Sequence, residues 1–320
     1  MPGIIQVQRS QSLELASLGL VASGLPLPEG SQDQQRLVGL IQNQVWPYSL
    51  TAFFHQAMPV SRSYGLDYAL ARCLAQAALF TQQPYESIDL EAYWQAAERA
   101  NLNREWVNSK NRAWLAELPA MLAMLNGNPE TEPIQAAFAF AYQTGQIRFL
   151  QTAESAEALI QHFSKGNPVI QSLTLVPNPL QIAGLTFISK GKDFYLELDE
   201  PSNEAILMTY LHAALQPNRM QLLELSWRSG PAAVIDLSAL ALKGQAREVT
   251  LEGTLHLMEA ALVACLAALL LPGTIQEKKQ RLAQLEASGY TAARIFAGMA
   301  SFPVYEDEIP LYIRQFQKAV

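Results

Sequence analysis

The hydrophobic pattern of the chain centres on Leu255 to Leu271, which reads LHLMEAALVACLAALLL. From Ala260 to Leu271, twelve residues carry no charge and no strong hydrogen-bonding group, and Pro272-Gly273 closes the run. A helix that is apolar on every side has no face for water. Spanning a bilayer takes about 20 apolar residues, and runs of about 10–14 are more often buried core helices. His256 and Glu259 shorten the apolar part further. A buried central helix of the C-terminal half is therefore expected, with the preceding strands packed around it.

Before residue 166 the period is helical. Residues 1–30 combine a short apolar start with a Gly/Pro-rich stretch, Gly24 to Gly30, and read as an irregular arm. Ser31 is placed to cap a helix through Leu37, Leu40, Ile41 and Val45, which Pro47 ends. Helices are also expected over Ser49–Met58 and the alanine-rich Asp67–Gln82, and after Ser87 as an N-cap. Trp106–Leu125, Ile134–Phe149 and Ala153–Phe163 complete an all-α array. No repeat of 34 or 40 residues emerges, which disfavours a solenoid of known type.

The period changes at Gly166-Asn167-Pro168. Val169–Val176, Ile182–Ser189 and Phe194–Leu198 read as strands, the last two flanking the hairpin signal Lys190-Gly191-Lys192-Asp193. Ser202 caps a helix over Asn203–Leu215. Met220–Trp227, Ala232–Leu237 and, more weakly, Arg247–Leu251 read as further strands. Amphipathic helices follow over Gln276–Ala287 and Thr291–Ala300, and a last helical turn or two over Leu311–Gln317.

The order over residues 153–271 is then helix, three strands, helix, two or three strands, long helix, with ISKGKDFYLELDE as its hairpin. It resembles the α-β-β-β-α-β-β-α module of class I type III secretion chaperones. The resemblance implies a small, acidic, dimeric domain that binds an unfolded segment of a secreted partner. It rests on element order, and the helical region before it and the helices after residue 272 depart from that family.

Composition narrows the function classes. Half of the 320 residues are apolar and 16% are charged, so a large core is affordable and disorder is excluded. The net charge of −7 divides into 9 basic and 14 acidic residues in the first half, 13 and 15 in the second. Neither half is basic, which disfavours phosphate-driven nucleic-acid binding. Cys73 and Cys265 each sit alone in an apolar run, as buried thiols of a reducing compartment do. Glu14 interrupts the apolar start, so no signal peptide is read and a cytoplasmic location is expected.

Candidate chemistry is sparse. GxxxxGK[ST], GxGxxG after a strand, HExxH and GxSxG are all missing, and four histidines leave few general bases. Glu252, His256 and Glu259, at i, i+4 and i+7, would share a helix face and offer a divalent ion two carboxylates and an imidazole. A complete site needs a further ligand, so a helix-end acid and a hydrogen-bonded histidine are the simpler account. His212 could act as a base if it lined a cleft. Asp193, Glu197, Asp199 and Glu200 read as a charged sheet edge that blocks unwanted pairing. Glu306-Asp307-Glu308 reads as a solvated loop open to basic side chains of a partner. Arg104, Lys110 and Arg112 interleave with Trp106 and Trp114, residue types enriched in interface hot spots.

The expected fold class is α+β: an N-terminal all-α helical domain over 31–165, then an α+β domain over 166–320 whose mainly antiparallel sheet packs on a long apolar helix. The expected function is a non-catalytic protein-binding adaptor or chaperone-like component of a larger assembly. Trp106, Arg112 and Trp114 are its candidate contacts. A protein partner is expected, with a homodimer left open, and no nucleic acid, membrane insertion, metal or cofactor. The alternative is an enzyme or small-ligand binder with a pocket between the domains.

Overall fold

The structure, a computed structural model, describes residues 3–27, 30–62, 65–82, 85–99, 109–181, 186–190, 192–229, 236 and 251–317. The chain divides into two compact units. One comprises Met1–Ser61, Leu66–Ala153 and Gln171–Pro201; the other comprises Arg62–Gly65, Glu154–Ile170 and Ser202–Val320.

The first unit opens with a strand, β1 (Ile5–Val7), and a helix, α1 (Gln11–Ala22), where an irregular arm was expected. Ser10 caps α1 by accepting from the Leu13 amide, and Ser12 through Val21 are all buried. A carboxylate sits in this buried helix because Arg9 grips it: Nε and a terminal nitrogen lie 2.7 and 2.8 Å from the two oxygens of Glu14. Burial pushes the Glu14 carboxyl above its ordinary value, and the Arg9 bond opposes that. The acid that interrupts the apolar pattern in sequence is thus paired with its near neighbour.

Around α1 pack α2 (Gln32–Gln42), α3 (Tyr48–His55), α4 (Ala69–Ala78) and α7 (Leu118–Asn126). Ser31 caps α2 as expected. The short ladders β2–β3 (Val60–Arg62, Gly65–Asp67) and β4–β5 (Thr81–Gln82, Ser87–Ile88) flank α4 in sequence. Ser87 therefore lies in a strand, and Asp89 caps α5 (Leu90–Arg99) by accepting from the Ala92 amide at 3.0 Å. After α6 (Ser109–Ala116) and α7, one continuous helix, α8 (Glu132–Phe163), replaces the expected pair.

The main sheet has the order β1-β6-β8-β7, with β6 at Ser172–Pro177, β7 at Thr186–Lys190 and β8 at Asp193–Leu198. The β7–β8 hairpin pairs Lys190 with Asp193, as its turn signal indicated. However, β1 and β8 both run parallel to β6, so the mainly antiparallel sheet is corrected to a mostly parallel one. Residues Leu173 through Pro177 of β6 are buried, a mostly apolar run broken only by Thr174, as suits a strand inside a parallel sheet. This sheet belongs to the same unit as the N-terminal helices, with α4 and α5 against β7. The class is mixed α/β, and the expected all-α first domain contains sheet strands.

In the second unit, α9 (Asn203–Leu215) is capped by Ser202 as expected. The expected strand at Met220–Trp227 is instead helix α10 (Arg219–Ser229). Over residues 153–229 the order is thus helix, three strands, helix and helix; the expected strands at 232–237 and 247–251 fall outside the described residues, except Asp236 and Leu251. The apolar run forms α11 (Leu251–Leu270), and among the described residues it packs with α9, α10, α12 (Ile275–Ala287) and α13 (Ala293–Phe296) of the same unit. Among the described residues no helix is long and apolar enough to cross a membrane.

The end of α11 is closed by Arg281 of α12, which donates to the carbonyls of Ala268, Leu271 and Pro272 at 2.8–3.2 Å. Charged donors on otherwise orphaned helix carbonyls satisfy the helix end and oppose its negative pole. Arg281→Ala is expected to lower stability by about 1–2 kcal/mol, read as a drop in the urea midpoint at unchanged slope.

Candidate functional site

Of the three residues named from sequence, Arg112 and Trp114 are described, both on α6. Trp114 is core: it is 6% exposed, its indole N–H donates to the Phe53 carbonyl at 3.2 Å, and its ring lies 5.5 Å from that of Phe53. The α6 face that carries Trp114 and Leu115 is buried, which leaves Trp114 unavailable as a surface contact. Arg112 is exposed, with its guanidinium 5.3 Å over the Trp94 ring. Trp106 lies outside the described residues.

Several polar groups flagged in sequence pair with other residues of the protein. Glu259 on α11 is buried and meets His212 of α9, with Oε1 3.2 Å from Nδ1. Burial of a carboxylate is costly without such a partner. The side chains of Glu252 and His256 lie outside the described residues, and no metal-binding cluster occurs among those described.

The acidic turn is similarly committed. Tyr210 donates to Glu306, Lys165 lies 2.7 Å from Asp307, and Tyr312 donates to Glu308 at 2.5 Å. Burial first, and then the carboxylate beside each hydroxyl, push both tyrosines well above the ordinary phenol value. The solvated loop expected from sequence is in fact tied to α9, to the end of α8 and to α14 (Ile309–Gln317).

The expected charged edge is also corrected. β8 lies between β6 and β7, so Glu197 is interior and fully buried. Asn178 donates through Nδ2 to Glu197 at 2.7 Å and to Ser17 of α1 at 2.8 Å, while its own Oδ1 accepts from the Leu180 amide. Burial raises the Glu197 carboxyl to about 7, against the Asn178 bond and with help from Asp199. This cluster ties α1 to the sheet.

Among the described residues, two hollows lie each within one unit. A cavity of about 50 Å³ in the first, lined by Tyr142, Arg148, Asp199 and Glu200 among others, is far smaller than ordinary ligand pockets. The second, about 420 Å³, is an open depression at Pro272, Gly273, Glu277 and Arg281, whose charged groups serve the caps of α11 and α12.

The outer face of α8 carries exposed apolar side chains. Its inner face buries Ile134, Phe138, Gly145, Phe149, Ala156, Ile160 and Phe163. At 100° per residue the opposite face carries Ala136, Phe140, Gln143, Ile147 and Leu150. Phe140 is 54% exposed, Ile147 67% and Leu150 44%. Their spacing alternates four and three residues, the seam pattern of helix-on-helix packing. From Ala136 to Leu150 the stripe covers about 21 Å of helix. No charge interrupts it, and the residues flanking it (Ala137, Ala139, Thr144, Gln146 and Gln151) are uncharged too. A helix apolar on two opposite faces needs two partners. The sequence expectation of a helix over Ile134–Phe149 did not separate its two faces; the phase difference between Phe138 and Phe149 on one side and Phe140 and Ile147 on the other was the available signal.

Comparison with protein-family models, with curated proteins and with solved structures found no match for this chain.

Proposed function

We propose that the chain is a non-catalytic protein-binding component, an adaptor or chaperone-like part of a larger assembly, and that it docks through the outer face of α8 onto another apolar helix face. The observation that carries this reading is the exposed, uncharged stripe of Phe140, Ile147 and Leu150 at seam spacing. Scattered apolar residues on a surface are ordinary, whereas an aligned uncharged row marks a contact site. The reading gains support from how His212, Glu197 and the 306–308 carboxylates are spent on internal bonds.

Tagged protein purified from its native host is expected to bring one companion in near-stoichiometric amount, the companion being another protein or untagged chain. Ile147→Glu is expected to abolish that capture while leaving the folding midpoint within about 0.5 kcal/mol, because the position is exposed. Equal capture by wild type and variant would refute the docking face.

A further inference from the structure

The Glu197 cluster closes the ends of two neighbouring strands in the first unit. Asn178 is fully buried in the turn that leaves β6, between Pro177 and Pro179. Its amide donates to the Leu198 carbonyl of β8 at 2.7 Å, and its side chain joins Glu197 to Ser17 of α1. Gln181 adds two bonds to the same strand end: it donates to the Glu197 carbonyl at 2.6 Å and accepts from the Asp199 amide at 3.0 Å. Polar bonds thus fasten the 178–181 turn to α1 and to β8. Of the four side chains that make them, only that of Glu197 titrates.

A neutral carboxyl is satisfied by few hydrogen bonds, whereas a buried carboxylate needs several donors or a cation. Among the described residues, Asn178 is the one donor to this carboxyl. The charged and titratable groups around it do not help. On β8, Tyr195 shares its face and Asp199 follows it; α1 brings Glu14, which Arg9 already holds. β6 carries no such group, and Lys190 of β7 pairs with Asp193 at the far end of the hairpin. Beside the cluster lies the cavity of about 50 Å³. Pro177 and Pro179 line it on either side of Asn178, as do Asp199 and Glu200 just beyond Glu197, together with Asp33, Tyr142 and Arg148. Outward movement of the turn would join this cavity to the Glu197 carboxyl and let water supply the missing donors.

We infer that the 178–181 turn is a proton-gated latch. With Glu197 neutral, the turn clamps α1 to the ends of β6 and β8; when Glu197 ionises, the turn swings off and water enters through the cavity. The device is independent of the α8 face. Its direction follows from burial, which lifts the carboxyl from 4.5 to about 7. The latch is strongest below the ordinary value, weakens as pH rises, and is loosest above about 7.

The test is hydrogen exchange of the full chain at pH 5 and pH 7, resolved to single amides and divided by the intrinsic rate of an unstructured peptide. The amides of Asn178, Leu180, Gln181 and Asp199 should lose about 40-fold of their protection between the two pH values, the ratio expected for a group that titrates at 4.5 when hydrated and about 7 when clamped. Amides within α1 and α11 should change far less. Glu197→Gln should hold the turn closed at both pH values. Asp199→Asn removes a like charge and should move the wild-type transition to lower pH, which keeps the test decisive if the glutamine variant folds poorly. Loss of protection shared equally by α1 and α11 would make the opening global and overturn the latch. Turn amides without pH dependence, or with the wild-type dependence retained in Glu197→Gln, would also overturn it.

Discussion

Stability should fall as pH rises from about 4.5 to 7, and Glu197→Gln should remove about 3 kcal/mol of that change. The Glu197 carboxyl is fully buried, and its pKa rises from 4.5 to about 7, chiefly through loss of hydration. In the folded protein the proton is therefore held up to about pH 7, while an unfolded chain releases it near 4.5. Between those values the folded state binds more protons, so each step upward in pH favours unfolding. The contribution is complete below 4.5 and gone above 7. Glutamine copies the neutral acid: its carbonyl can still accept from Asn178 Nδ2, and it has no proton to lose. Glu14 and Glu306 shift in the same direction, so the difference between wild type and variant is the quantity that isolates Glu197. Urea unfolding at several pH values provides it. Parallel pH curves for the two proteins would show that Glu197 does not titrate as its surroundings require.

Gly19→Ala is expected to destabilise the first unit by about 1–3 kcal/mol although it adds a single methyl to a helix. On helix propensity alone alanine should stabilise an interior glycine by about 1 kcal/mol. The contact outweighs the propensity here. A Cβ at Gly19 would lie 2.4 Å from two carbons of the Phe54 ring, and Phe54 is itself fully buried on α3. Glycine lets α1 and α3 approach at this crossing. Phe54→Leu in the Gly19→Ala background should recover part of the loss, giving a non-additive pair in a double-mutant cycle. A stabilised Gly19→Ala protein would mean that the α1–α3 contact is looser than described.

The contrast between these residues shows which features the sequence made legible. The buried apolar helix was readable because twelve uncharged residues have no other soluble solution, and α11 is that helix. The β7–β8 hairpin and the Ser31 and Ser202 caps were readable because each depends on residues within a few positions. The α1 helix was hidden: Glu14 looks like a surface residue until Arg9 is seen to cover it. The 220–227 stretch alternates well enough for a strand, and only its surroundings make it helical. Strand direction depends on partners more than 160 residues apart, such as Ile5 and Leu173.

The candidate site was less readable than the fold. Trp114 and Arg112 were chosen by residue type, and type does not reveal which way a helix faces. Burial of Trp114 and the stacking of Arg112 on Trp94 follow from the packing of α6. The α8 stripe carried no such label. It became visible once Ile134, Phe138 and Phe149 were seen to occupy the opposite side. His212 and Glu259 were noted separately, and 47 positions of separation kept the pair out of view.

The most direct measurement of the central claim is hydroxyl-radical footprinting of the full chain, in native-host extract and after purification and dilution to nanomolar concentration. Phe140 and Leu150 should be strongly labelled in the dilute protein and protected several-fold in the extract, with exposed Met220 and Phe302 as references. Protection confined to the α8 face is the result the account predicts. Equal labelling of Phe140 and Leu150 in both states would contradict it, since the face would then meet only water.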